Sequence, residues 1–203
     1  DEPKVPTKVF VGDGGDGVVW IYERGQRQAA LGQGPGEFIK PNGIEVSSDG
    51  LVFVADSPEQ VVKVYALTGA PLNVFAGPLG GFGFPTDVAV NNALGELYVS
   101  DLRSNRIVVL DLQGNWKRDL AAPLTPSGYP FFIRATGLGM TPSGNLLVVD
   151  HALSLVAVLS PAGDLLDSIG YREGRYWTGA LAVPLDAVSD GTRVYVTSNQ
   201  AGR

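Results

Sequence analysis

Four aspartates recur along the chain, each at the end of a short apolar run. They are Asp13, Asp56, Asp101 and Asp150, spaced by about 45 residues. A ring of such carboxylates would bind cations, whereas the structural alternative is that each accepts hydrogen bonds from the backbone of a turn. A repeated unit needs its turn every time and a binding site only once, so the recurrence favours structural turns. Arg106 is predicted to serve the same turn or a contact between repeats.

A second pair of carboxylates occupies equivalent positions in alternate repeats. Asp87 and Asp186 begin apolar runs at the point where the other two repeats have Gly43 and Gly137. If these runs surround one opening, the two carboxylates would face it together and hold Ca²⁺ or an ordered water. The alternative is ordinary capping of a strand, because calcium sites usually need more oxygen ligands than this. The sequence predicts no cofactor apart from this candidate calcium site.

The chain offers little material for catalysis. It has one histidine, His151, and no cysteine, which excludes thiol nucleophiles and a zinc site built from several imidazoles of this chain. Asp150 precedes His151 directly, and neighbouring side chains on a strand point to opposite faces, so the two cannot act together within a strand. No Gly-x-Ser-x-Gly nucleophile elbow is present. No residue is predicted to be catalytic, and the balance favours a protein that is not an enzyme.

Short strands separated by turns must position these residues. The sequence has 27 glycines and 14 prolines spread along its length, as is typical of frequent turns. Apolar residues alternate or run in fours and fives, and helical spacing is absent. Four such runs occur per period of about 45 residues, which indicates a propeller blade. We predict an all-β protein, a β-propeller of four-stranded antiparallel blades with about seventeen strands in four to five blades.

The repeats resemble the NHL family of β-propellers. One similar stretch covers residues 34–56 and another covers 84–111, and the most specific pieces are the Asn105-Arg106 pair and the Pro-x-Gly or Pro-x-Asp turn. The third repeat departs from the pattern at 134–136 and 151–154. The resemblance implies a ring of usually about six blades, so the favoured expectation is a segment with an incomplete ring. The alternative is a ring of four blades closed by the C-terminal first strand.

The predicted organisation is one domain over residues 1–203. Its parts are a partial blade at 8–33, blades at 34–77, 78–122 and 123–171, and a partial blade at 172–203. An unclosed ring would leave two unpaired sheet edges, which favour association. The sequence leaves the oligomeric state open.

Loops rich in aromatic and arginine side chains are the candidates for a contact surface. In a propeller, the loops that lead into each first strand share one face with the turns after each second strand. The predicted partner-binding residues are Tyr129, Phe131, Phe132, Arg134 and Arg103. Aromatic and arginine side chains are enriched in protein interfaces, and the alternative is that the rings wedge between blades.

Charge and hydropathy narrow the function. The net charge of −6 and the scattered Lys and Arg residues argue against a nucleic-acid partner, and no apolar run is long enough to insert in a membrane. The leading hypothesis is a non-catalytic protein-binding or scaffold module, an accessory component of a larger extracytoplasmic assembly. The periplasmic or secreted location rests on a start at Asp1 without Met, as after removal of a signal peptide. The alternative implied by related six-bladed propellers is a metal-dependent, lyase-like or lactonase-like enzyme with its site at the channel mouth.

Overall fold

The chain forms β-strands and no helix across the part that the structure describes. The structure is a computed structural model, and it describes residues 8–172, 175–176, 181 and 183–199. Runs of branched and aromatic side chains form the strands because these side chains pack well on a pleated surface. The strands are β1 (Lys8–Asp13), β2 (Val18–Glu23), β3 (Gln26–Ala30), β4 (Pro41–Val46), β5 (Leu51–Asp56), β6 (Val61–Ala66), β7 (Pro71–Phe75), β8 (Pro85–Asn91), β9 (Glu96–Asp101), β10 (Arg106–Asp111), β11 (Trp116–Leu120), β12 (Ala135–Met140), β13 (Leu146–Asp150), β14 (Leu155–Leu159), β15 (Leu165–Ile169), β16 (Tyr171–Arg172), β17 (Arg175–Tyr176), β18 (Pro184–Ser189) and β19 (Val194–Ser198).

The strands pair in chain order as antiparallel meanders. Three sheets have four strands each, namely β4–β7, β8–β11 and β12–β15, and the first sheet has the three strands β1–β3. The pairs β16–β17 and β18–β19 complete the described sheets. The two-residue strands β16 and β17 are the ones that the sequence did not predict, because they are too short to show a periodic pattern.

The core lies between neighbouring sheets. The second strands of the four-stranded sheets, β5, β9 and β13, are buried almost throughout, because each sheet packs against neighbours on both faces. This explains why their sequences run apolar without alternation. Three equivalent phenylalanines, each three residues before a first strand, fill the interfaces. They are Phe38, Phe82 and Phe132, with exposed fractions of 3%, 2% and 0%.

The first strands of four successive sheets, β4, β8, β12 and β18, lie side by side around a central cavity of about 1260 Å³. Glycine permits their close approach. A Cβ atom on Gly43 would overlap Asp87, and one on Gly139 would overlap the carbonyl oxygen of Ala187. The sheets form an open arc around this cavity, not a closed ring.

The turns before β2, β6, β10 and β14 each end in a residue with left-handed backbone. Its φ is 60° at Gly17, 63° at Gln60, 48° at Asn105 and 55° at Ser154. Glycine and asparagine adopt this conformation most readily. The geometry therefore explains why asparagine precedes Arg106 in the second of the NHL-like stretches.

Candidate functional site

The recurrent aspartates accept hydrogen bonds from the backbone. Asp56, Asp101 and Asp150 have no exposed surface, and each holds the loop that leads into the first strand of its own sheet. Asp13 instead accepts N–H groups from the turn that follows it. The donors are the N–H groups of Ile39 and Lys40 for Asp56, Gly83 and Phe84 for Asp101, and Ile133, Arg134, Ala152 and Leu153 for Asp150. With four N–H partners, Asp150 is committed to the backbone and not to the neighbouring His151.

Arg106 joins three parts of one sheet. Its guanidinium lies 3.4 Å from Asp101 Oδ2 and 2.8 Å from Asp119 Oδ2 on the outer strand β11. It also donates to the carbonyl oxygen of Gly81, at 3.2 Å, in the loop that leads into β8. These bonds fix that loop against the turn after β9, so the geometry assigns Arg106 a structural position within its own sheet.

Three carboxylates line the central cavity. Glu45 comes from β4, Asp87 from β8 and Asp186 from β18, and no Lys, Arg or His is among the described residues that line it. The sequence pointed to Asp87 and Asp186 but not to Glu45. The available signal was its spacing, because Glu45 lies two residues after Gly43, the equivalent of Asp87, and residues two apart share one face of a strand.

Asp87 links the first strands of two neighbouring sheets. Its Oδ2 accepts the N–H of Leu138 on β12 at 2.7 Å, and its Oδ1 accepts the N–H of Val88 at 2.9 Å. Burial raises the pKa of Asp87 to about 8, and the negative charges of Asp186 and Glu45 add to the rise, while the two N–H bonds oppose it. Near neutral pH this carboxyl is therefore mostly protonated.

The raised pKa of Asp87 predicts a fall in stability as the pH increases. In the folded state the Asp87 carboxyl keeps its proton, whereas in the unfolded state it releases the proton above its ordinary pKa of 3.8. The contribution of Asp87 to the free energy of unfolding is therefore complete below pH 3.8 and is lost as the pH rises to the folded pKa of about 8. One proton corresponds to a slope of about 1.4 kcal/mol per pH unit. Between about pH 5.5 and pH 7 the free energy of unfolding should drop by about 2 kcal/mol, and Asp87→Asn should remove most of that slope in urea titrations.

Asp186→Asn provides the second variant of this experiment. It removes a negative charge that raises the pKa of Asp87, so the folded pKa should decrease, and the fall in stability should end at a lower pH and be smaller in total. An unchanged slope in Asp87→Asn would show that another group carries the pH dependence.

A metal role for the cavity carboxylates stays a prediction. Asp87 and Asp186 both line the cavity, as the sequence suggested. Within the described ranges, no group of three or more His, Cys, Asp or Glu side chains is placed to hold a metal ion.

The predicted partner-binding residues divide into exposed and buried groups. Tyr129 is 64% exposed, and Arg103 and Arg134 are exposed as well. Phe131 and Phe132 are only 3% and 0% exposed, so these two rings are not available to a partner in this structure. Phe132 belongs to the set of inter-sheet wedges, since it packs in one core with Ile107 of β10 and Leu155 of β14. The two phenylalanines that the sequence suggested for a contact surface are therefore buried in this structure.

The exposed residues lie on one face, called here the loop face. It consists of the lead-in loops 31–40, 76–84 and 121–134 and the turns 14–17, 57–60, 102–105 and 151–154. Backbone bonds hold loops and turns together, for example from Phe38 N to Gly17 O and from Leu102 N to Phe84 O, both at 3.0 Å. Large apolar side chains exposed on this face are Ile39, Leu79, Leu124, Tyr129 and Ile133.

A small hairpin at 123–131, called here the Tyr129 hairpin, projects from the loop face. Thr125 and Tyr129 bond through their backbones at 2.7 Å, and Thr125 Oγ1 accepts the N–H of Tyr129 at 3.0 Å. Leu124 pairs with Pro130 in an isolated bridge. Leu124 and Tyr129 are 65% and 64% exposed. Sequence reasoning missed Leu124, although the Pro and Gly residues around it indicate a turn that would expose it.

The comparisons with known proteins concern the repeat and the fold. Residues 82–110 match the family described as the NHL repeat. No curated protein sequence matches the chain. In the described part of the chain, no helix has the length and hydropathy needed to cross a bilayer.

Several solved structures of distant sequence share this fold. Virginiamycin B lyase from Staphylococcus aureus superposes with a TM-score of 0.69 at 12% identity, over 94% of this chain and 59% of that chain. The WD40 β-propeller domain of Doa1 gives a TM-score of 0.67 at 15% identity, over 96% of this chain and 58% of that one. Hydrazine synthase from Kuenenia stuttgartiensis gives 0.61 at 14% identity, over 80% and 45%.

At these identities the likeness concerns the fold alone. The chain spans 59% of the length of the lyase, in keeping with the open arc of sheets. The prediction of an all-β propeller with four-stranded antiparallel blades and an incomplete ring is confirmed. The boundaries assigned to individual blades remain a prediction. Residues 82–110 thus match the NHL repeat, and the fold around them is that of a segment of a β-propeller.

Proposed function

We propose that this propeller segment is a non-catalytic protein-binding module whose contact surface is the loop face. The observation that carries the proposal is the Tyr129 hairpin, an ordered element that holds Leu124 and Tyr129 well exposed. Hydrogen bonds already hold the hairpin backbone, so a partner that covers these side chains pays little further backbone entropy. Tyrosine is also among the residues that most often dominate binding energy.

The surroundings of the hairpin support the same proposal. Ile39 and Leu79 are 60% and 106% exposed on neighbouring lead-in loops, so apolar surface extends beyond one blade. Clusters of exposed apolar groups with polar neighbours are typical of interaction sites. Phe132, the residue directly after the hairpin, packs in the core between two sheets, so the chain that leaves the hairpin is held by a buried side chain.

A capture experiment tests the proposal. The chain is immobilised, proteins bound from an extract of its source are quantified, and wild type is compared with Leu124→Ser/Tyr129→Ser. We expect at least about a tenfold loss of specific partners, the range expected when central contact residues are removed. Thermal unfolding should stay nearly unchanged, because both side chains are exposed.

The matched control replaces two apolar residues of similar exposure elsewhere on the chain. Leu72 on β7 and Leu166 on β15 are 55% and 54% exposed on outer strands, so Leu72→Ser/Leu166→Ser should retain the partners. Equal loss in both variants, or in neither, would contradict a specific contact at the loop face. The accessory role in an extracytoplasmic assembly belongs to this proposal too, and fractionation of source cells with an antibody against the chain tests its location.

A second candidate function is an enzyme that works in the central cavity. The observation in its favour is Asp87, whose raised pKa of about 8 suits a general acid near neutral pH. Its form would be the lyase-like or lactonase-like enzyme named above, and quinupristin, present in one structure of the similar lyase, is a suitable probe. Loss of intact quinupristin with wild type but not with Asp87→Asn, followed by mass spectrometry, would favour this candidate. An intact probe in both would count against it.

A further inference from the structure

We infer that the loop face binds an acidic segment of another protein, with carboxylates flanking apolar side chains. This inference rests on the proposed function and adds the chemistry of the partner. It follows from the charges that the face presents to solvent, which differ in sign from the net charge of −6 of the whole chain.

Exposed cations collect on the loop face without anionic partners. Lys40, Arg103 and Arg134 are all exposed, and none of them makes an ion pair with any other residue in the described part of the chain. The Arg103 guanidinium lies 5.2 Å from the centre of the Phe84 ring. Such stacking limits the motion of the side chain while leaving its N–H groups free to bind a carboxylate.

Most acidic groups of the same face are turned inward or paired, and the exception is Asp16, which is exposed in the turn 14–17. Asp56, Asp101 and Asp150 are fully buried and accept backbone N–H bonds, and Glu59 pairs with Lys63 at 2.7 Å. A partner that approaches from solvent therefore meets cations and apolar side chains more than anions. Carboxylates on the partner would match that pattern, since complementary potentials steer association and set specificity.

Arg103 and Arg134 belong to one place on the face. Thr86 Oγ1 donates to the carbonyl oxygen of Ala135 at 3.3 Å, which joins the starts of β8 and β12. Thr86 lies two residues after Phe84, whose ring stacks with the Arg103 guanidinium. Ala135 directly follows Arg134. Both cations thus flank the junction of two sheets, and Phe132, at the base of the Tyr129 hairpin, packs across the same junction. One segment can contact the hairpin and both arginines.

A nucleic acid fits these observations less well. Phosphate binding draws on many clustered cations, whereas this face offers three and the chain as a whole is acidic. The apolar side chains of the hairpin also have no function in contacts to phosphate. Nucleic acid is therefore an alternative outcome of the test.

The experiment selects short random peptides displayed on phage against the full chain. The enriched pool should be acidic and contain apolar residues. Synthetic copies of enriched peptides should bind at least about tenfold more weakly to Arg103→Gln/Arg134→Gln, and binding to wild type should weaken as salt is added. Arg24→Gln/Arg193→Gln, which changes two exposed arginines at the opposite end of the strands, should bind like wild type.

Several results would overturn the inference. They are failure to enrich any peptide, an enriched pool without acidic bias, equal binding by the two arginine variants, or tighter binding of a random single-stranded RNA oligonucleotide than of the peptides. The proposed function fails separately, when Leu124→Ser/Tyr129→Ser keeps its captured partners. If Leu124→Ser/Tyr129→Ser loses its partners while Arg103→Gln/Arg134→Gln keeps them, the loop face remains the contact surface. Only the inference of an acidic partner is then overturned.

Discussion

Replacing Phe132 with alanine should lower the free energy of unfolding by about 3–5 kcal/mol, the usual cost of removing a buried aromatic ring. The ring has no exposed surface, and it packs in one core with Ile107 of β10 and Leu155 of β14. Its loss would leave a cavity between two sheets that rigid strands cannot close. Denaturant titration followed by tryptophan fluorescence or circular dichroism measures the effect. Phe132→Leu, a smaller change, should cost roughly 1 kcal/mol.

Tyr129→Ala is the control, because this ring lies on the same lead-in loop but is 64% exposed. Its effect on stability should stay within about 0.5 kcal/mol, while partner capture should fall. If Phe132→Ala keeps the stability of wild type but loses partners, Phe132 would belong to the contact surface, as predicted from the sequence.

Replacing Asp101 with alanine should destabilise the protein by about 3–5 kcal/mol, as when one member of a buried charged network is removed. The carboxylate accepts the N–H groups of Gly83 and Phe84 at 2.9 and 2.8 Å and lies 3.4 Å from Arg106. Its removal leaves two N–H groups without their acceptor where water has little access. The loop that carries Phe84 would loosen, and the stacking of Arg103 on the loop face with it.

Asp111→Ala is the matched control for Asp101→Ala. Asp111 also accepts two backbone N–H groups, from Gln113 at 2.9 Å and Asn115 at 2.8 Å, but in an exposed turn. Water can replace the carboxylate there, so the loss should be about 1 kcal/mol or less. Equal losses in the two variants, measured by denaturant titration, would mean that burial does not set the value of these bonds.

The strand pattern and the repeat period were readable from the sequence for a physical reason. A blade is a local meander, so each strand pairs with its neighbour in the chain, and turns fall where glycine, asparagine or aspartate tolerates the backbone. Runs such as Leu51–Asp56 are apolar on both faces because sheets pack on both sides. The short pair β16–β17 was missed because two residues carry no pattern.

The site was only partly readable, because exposure depends on neighbours distant in sequence. Phe132 and Tyr129 are three residues apart in one aromatic stretch, yet one fills the interface between sheets and the other stands in solvent. Similarly, nothing local separates Glu45 from other strand carboxylates until β4, β8 and β18 are placed around one cavity.

The sequence by itself determined the all-β architecture, the strand order and the recurrent aspartates, since these follow from local pairing and turn chemistry repeated along the chain. Only the tertiary structure decided which aromatic rings are wedges and which are exposed, and which carboxylates meet. The packing of one sheet against the next sets these properties, and that packing brings together residues about 20 or more positions apart.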